Sequence, residues 1–93
     1  MSNEFIKKIA GRIAKGHSYV KHGHEFNIST TEELKDIVTS IIENPTEIKH
    51  VSAGRTIYWD SGTGAVVILN PRDLDGGTIF KPRRGKLYFD SLT

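Results

Sequence analysis

Lys21 and His22 stand side by side in the stretch Ser18-Tyr19-Val20-Lys21-His22-Gly23-His24-Glu25-Phe26, with a second imidazole two residues on. Imidazole titrates near ~6.5, so it can take or give a proton at working pH, and an adjacent ammonium stabilises charge developing on a phosphate. Cleaving RNA by internal transesterification needs little more. A base must activate the ribose 2′-hydroxyl, an acid must meet the leaving oxygen, and cations must sit at the scissile phosphate. On this reading His22 is the general base or acid and Lys21 its electrostatic support. The competing reading makes His22 and His24 exposed loop histidines without a catalytic role.

A second group with chemical potential is Gly76-Gly77-Thr78-Ile79-Phe80-Lys81-Pro82. In a strand Thr78 and Phe80 face the same way, presenting a hydroxyl beside an aromatic ring. The hydroxyl can bond a phosphate and the ring can stack on a splayed base. Structurally the same residues read as a Gly-Gly turn, a strand former and a core aromatic. Tyr88 is expected on a strand face with Lys86 and Asp90, turned to solvent, while Trp59 is expected in the core. Lys81, Arg83 and Lys86 can meet phosphates, Arg83-Arg84 from a turn. His17, Glu25, His50 and Asp60 have no partner evident in the sequence. A metal site from His17, His22 and His24 lacks a carboxylate at helpful spacing, so no metal or cofactor is expected.

These side chains must be positioned by one small domain, since 93 residues support a single modest core. There are no cysteines, so disulfides and thiolate metal sites are excluded. The first residues contain no apolar run long enough for a signal peptide or membrane span, and the chain reads as soluble or as a domain of a longer protein. Net charge is only +2, yet the bases gather at the two ends and the acids in the middle. That split suits an anionic partner on one face.

Phe5, Ile6, Ile9 and Ile13 recur as an amphipathic helix within residues 1–16, ended by Gly16. His17 to Asn27 has no clear period and reads as loop or irregular structure. Thr30-Thr31-Glu32-Glu33 has capping-box spacing and opens a helix carrying Leu34, Ile37, Val38, Ile41 and Ile42, closed by Asn44-Pro45. Thereafter the period changes to two. Strands are expected at Lys49–Ser52, Thr56–Trp59, Ala65–Leu69, Thr78–Phe80 and Leu87–Phe89, with a hairpin at Asp60-Ser61-Gly62-Thr63-Gly64. The fold class that follows is α+β: N-terminal helices on one face of a four- to five-stranded antiparallel sheet spanning 48–90, the other face open.

The order of these features, from Lys21-His22-Gly23-His24-Glu25-Phe26 through a capped helix ending in Asn-Pro, an aromatic strand with a Thr-Gly hairpin and an apolar strand to Gly-Gly-Thr-Ile-Phe, resembles the nuclease domain of colicin D. It also resembles the C-terminal toxin domains of contact-dependent inhibition proteins, within the barnase/EndoU/colicin/RelE group of ribonucleases. The likeness spans about residues 17 to 90 and lies in the order and spacing of elements.

The resemblance implies a metal-independent transfer RNA endonuclease that cuts in or near the anticodon loop and leaves a 2′,3′-cyclic phosphate. His22, Lys21 and Thr78 would be catalytic, and Phe80, Lys81, Arg83, Lys86, Tyr88 and His24 would hold substrate. Tyr19 stands where the colicin pattern has a second lysine. It further implies a secreted or surface-delivered toxin acting in the target-cell cytoplasm, neutralised by an acidic immunity protein; some such toxins require elongation factor Tu. The alternatives are a ribosome-dependent messenger RNA interferase of the RelE type, which the low net charge disfavours, and a non-catalytic nucleic-acid or protein binding module.

Overall fold

A computed structural model of the chain describes residues 3–93. Helix α1 (Asn3–Ile13) buries Ile6, Ala10 and Ile13, three positions on one face. The chain continues through a wide helical turn (Ala14–Ser18) in which Gly16 leaves helical geometry (φ −78°, ψ −155°). Gly16 has no side chain where Asp75 passes: a Cβ there would lie 2.5 Å from the Asp75 carboxyl carbon. Rather than ending, the helical path bends and runs on through α2 (Tyr19–His22) and a tight turn (Gly23–Phe26), closed by Asn27 in the left-handed region (φ 53°). The expected loop at 17–27 is therefore mostly helical. Its lack of a clean period reflects one turn of each helical pitch instead of several of one kind.

Helix α3 (Thr31–Glu43) begins where the capping box places it. The Thr30 hydroxyl accepts the Glu33 N–H at 3.2 Å and the Glu33 carboxylate accepts the Ser29 N–H at 3.3 Å, so two otherwise orphaned donors are satisfied. Leu34, Val38, Ile41 and Ile42 are buried against α1 and the sheet.

The sheet has four antiparallel strands in sequence order: β1 (Glu47–Val51), β2 (Arg55–Asp60), β3 (Ala65–Leu69) and β4 (Gly77–Phe80). Tyr58 pairs with Val67 and Val67 with Ile79, which puts all three on the face covered by α1 and α3. Alternation sends Ile57, Trp59 and Val66 to the opposite face. Strand β3 is apolar on both sides because both of its faces are covered.

The second face is not left open. Residues 86–91, expected as a fifth strand, form helix α4 (Lys86–Ser91), which lays Phe89, 1% exposed, against Ile57, Trp59 and Val66. At the β4 edge a fifth strand has no room to join. The outward N–H of Ile79 on β4 is taken by the Ser18 hydroxyl at 3.4 Å and that of Lys81 by the Glu25 carboxylate at 2.8 Å, so the helical segment 18–25 already seals that edge. The segment instead packs the adjacent residues Tyr88 and Phe89 on the same cluster, which a two-residue period cannot do. Lys49 fixes it there, its ammonium donating to the carbonyls of Phe89 (2.8 Å), Asp90 (3.0 Å) and Leu92 (3.0 Å).

Candidate functional site

The same edge assembles a group of polar and aromatic side chains. Glu25 follows His22 by three residues across the junction where His22 (φ −125°, ψ −4°) leads from α2 into the tight turn, and the two side chains meet there. The Nδ1 of His22 is hydrogen-bonded to Glu25 Oε2, with each side chain 21% exposed. The other carboxylate oxygen accepts the Lys81 N–H. Burial pushes the Glu25 carboxyl up, but the Lys81 N–H and the His22 hydrogen bond and charge, with His24 adding its own, together hold it below the usual carboxylate range.

An ionised carboxylate only accepts, so Nδ1 carries the proton of this bond. The Nε2, with no hydrogen-bond partner among the described residues, is then a free lone pair in the neutral ring or a donor in the cation. Glu25 therefore fixes tautomer and ring orientation, the arrangement that makes an imidazole a proton-transfer group.

The His22 ring packs on Phe80 with centroids 5.5 Å apart and planes tilted by 32°. Phe80 in turn meets Tyr88 edge-on, at 5.4 Å and 74°. Helix α2, strand β4 and helix α4 thus bring one ring each into a row. The Tyr88 phenol makes no hydrogen bond among the described residues, although its ring is half-buried and not solvent-facing as a strand residue would be. Thr78, two residues before Phe80 on the same face of β4, shares a 3.0 Å hydrogen bond with the fully buried Ser18 hydroxyl.

The cations are distributed differently from the sequence-based expectation. Lys21 is exposed at the end of α2 and makes no ion pair among the described residues. Arg83 is likewise exposed and unpaired, in the turn that Gly85 closes back onto Pro82 (3.0 Å). Lys81 places its ammonium 5.1 Å from the Phe26 ring centre. Lys86 is not a free phosphate ligand: it bridges Asp90 at 3.2 Å and Glu47 at 3.3 Å, and their hydrogen bonds raise its pKa. His24 is exposed and lacks the carboxylate partner that orients His22.

Of the expected residues, His22, Phe80 and Tyr88 are brought together, and Thr78 shares the strand face of Phe80. Glu25 and Ser18 were missed. A carboxylate at i+3 from a histidine signals the first only if the segment is helical, and nothing in the sequence marks the second. Among the described residues no three His, Asp or Glu side chains gather as a metal-binding group; His17 instead pairs with Asp75 (2.5 Å) and His22 with Glu25. No helix of the described residues is long and apolar enough to cross a membrane. The chain matches no protein-family model and no curated protein.

Proposed function

We propose that this chain is a metal-independent endoribonuclease of the toxin class, acting on transfer RNA, with His22 at its centre. The observation that supports it is the His22–Glu25 pair: an oriented imidazole with Nε2 unengaged, beside an aromatic ring that can receive a base. Its preference for transfer RNA, the cut in or near the anticodon loop and an acidic immunity partner rest on the resemblance to colicin D-type domains.

In the proposed reaction Nε2 of His22 removes the proton of a ribose 2′-hydroxyl. The oxygen attacks the adjacent phosphorus, the bond from phosphorus to the 5′-oxygen breaks, and the products are a 2′,3′-cyclic phosphate and a 5′-hydroxyl. The Tyr88 phenol gives a proton to the departing oxygen and is restored by the proton that His22 took up, passed back through water, while the ring of Phe80 stacks a flanking base. Lys21 and Arg83, the unpaired cations, draw in the phosphate backbone. Thr78, held by Ser18, donates to a non-bridging phosphate oxygen.

The test is incubation of the purified protein with total bacterial RNA in excess EDTA, beside His22→Ala. Discrete transfer RNA fragments ending in a cyclic phosphate are expected from the parent only, with the variant slower by about 10²-fold or more. Equal cleavage by both proteins overturns the assignment of His22. Intact RNA in both lanes, persisting with magnesium, elongation factor Tu and GTP, overturns the nuclease reading in favour of a binding module.

A further inference from the structure

A cleft of about 600 Å³ opens between α1 and strands β1 and β2, reaching Leu69 at the end of β3 and Gly76 just before β4. Its helix wall is a second stripe of α1, Phe5, Lys8, Ile9 and Arg12, spaced at steps of three, one and three and distinct from the buried stripe of that helix. Its sheet wall carries Ile48, His50 and Tyr58, which the register places side by side on the helix-covered face.

Three features define what fits. The body of the cleft is apolar, and its rim carries Phe5 and Ile48, 49% and 52% exposed. Its charged and titratable lining is otherwise Lys8, Arg12 and His50, with no Asp or Glu. Lys8 makes no ion pair among the described residues. Arg12 uses one amino group on the Leu74 carbonyl at 2.9 Å and keeps its other N–H groups, while Asp75, a carboxylate within electrostatic range of it, is turned to His17. Third, the phenol of Tyr58, 4% exposed, has no hydrogen-bond partner among the described residues, and burial raises its pKa, which keeps it a donor.

We infer that the cleft between α1 and the β1–β2 ribbon binds a small anionic amphiphile, a flat or short apolar body bearing one carboxylate, sulfonate or phosphate head. Lys8 and Arg12 meet the head, Tyr58 donates to it, and Ile9 and Ile48 flank the apolar body. The volume is that of a small-molecule site, and a lining of bases without acids in an apolar setting selects an anion over a neutral twin. The inference does not depend on the RNA reading, because the lining of the cleft includes none of His22, Glu25, Thr78, Phe80 and Tyr88.

The probe is 1-anilinonaphthalene-8-sulfonate, compared with the uncharged N-phenyl-1-naphthylamine by fluorescence titration and by amide shifts in the ¹H–¹⁵N spectrum. The sulfonate should bind one to one, shifting amides of α1, β1 and β2, and more tightly than the uncharged twin. Lys8→Gln should weaken the sulfonate about tenfold and leave the twin unchanged. Ile48→Gln, at an exposed rim position that the fold does not need, should weaken both. Absence of sulfonate binding, equal binding of the two probes, insensitivity to Lys8→Gln, or shifts confined to other faces would each overturn the proposal.

Discussion

Glu25 holds His22 with one carboxylate oxygen and the outer edge of β4 with the other, so the element that orients the imidazole also closes the sheet. Orientation of the ring relative to Phe80 is thereby tied to the integrity of the β4 edge.

Glu25→Gln is expected to lower the cleavage rate by about 10²-fold with little change in KM, since substrate contacts remain while the ring loses its fixed tautomer. The amide can donate to Nδ1 and so favours the tautomer with its proton on Nε2, the wrong atom for a base. A variant that loses KM and keeps kcat would place Glu25 in binding instead. Steady-state cleavage of one labelled transfer RNA reads the split.

Acid should destabilise the fold through two carboxylates. Glu25 and Asp75 have ordinary values of 4.5 and 3.8, and both are lowered in the fold: Glu25 by the Lys81 N–H and His22 against the cost of burial, Asp75 first by the His17 side-chain hydrogen bond. A carboxyl with a lowered folded pKa adds stability that is present in full above its unfolded value and is lost as pH falls through its folded value. Urea midpoints measured from pH 7 down to pH 3 should therefore fall most steeply below about 4.5, the ordinary Glu25 value. Glu25→Gln and Asp75→Asn should each flatten that slope, whatever they do to stability at pH 7. An unchanged slope in both would show that these pairs do not carry the acid response.

How much of this was legible in the sequence varies with how local the cause is. The α3 cap was readable because Thr30 and Glu33 satisfy each other within four residues. The hairpin was readable because Asp60 makes its own turn, accepting the Thr63 N–H at 3.0 Å. Helix α4 was not: over Leu87–Phe89 three consecutive apolar or aromatic residues fit either period. The β4 edge that a following strand would join is already covered by Ser18 and Glu25, some 60 residues earlier, while the helix packs Tyr88 and Phe89 on one cluster. The histidine cluster could be seen, but the choice between His22 and His24 is made by the helical path that puts Glu25 beside only the first.

Ser18→Ala should cost about 1–3 kcal/mol, because the buried hydroxyl shares a hydrogen bond with Thr78 and accepts the Ile79 N–H, leaving polar groups without partners when removed. For a domain of this size, each kcal/mol lowers Tm by about 4–8 °C. Ser18→Cys, close in size but a poor acceptor, should recover little. A Tm within a degree of the parent for Ser18→Ala would show that the β4 edge does not need this bond.

Gly77→Ala should abolish folding, whereas Gly64→Ala should be tolerated, although both glycines have positive φ. At Gly77 (φ 143°) a Cβ would lie 1.8 Å from the Ile68 carbonyl oxygen, within the β3–β4 pairing itself; at Gly64 (φ 75°) it would meet nothing within 4 Å. The second change therefore costs only the left-handed penalty, roughly 1–2 kcal/mol, while the first must push two paired strands apart. Because β4 carries Thr78 and Phe80, expression of soluble Gly77→Ala with parent-like amide spectra would contradict the β3–β4 register on which the candidate site depends. Recovery of folded Gly64→Ala alone is the expected result.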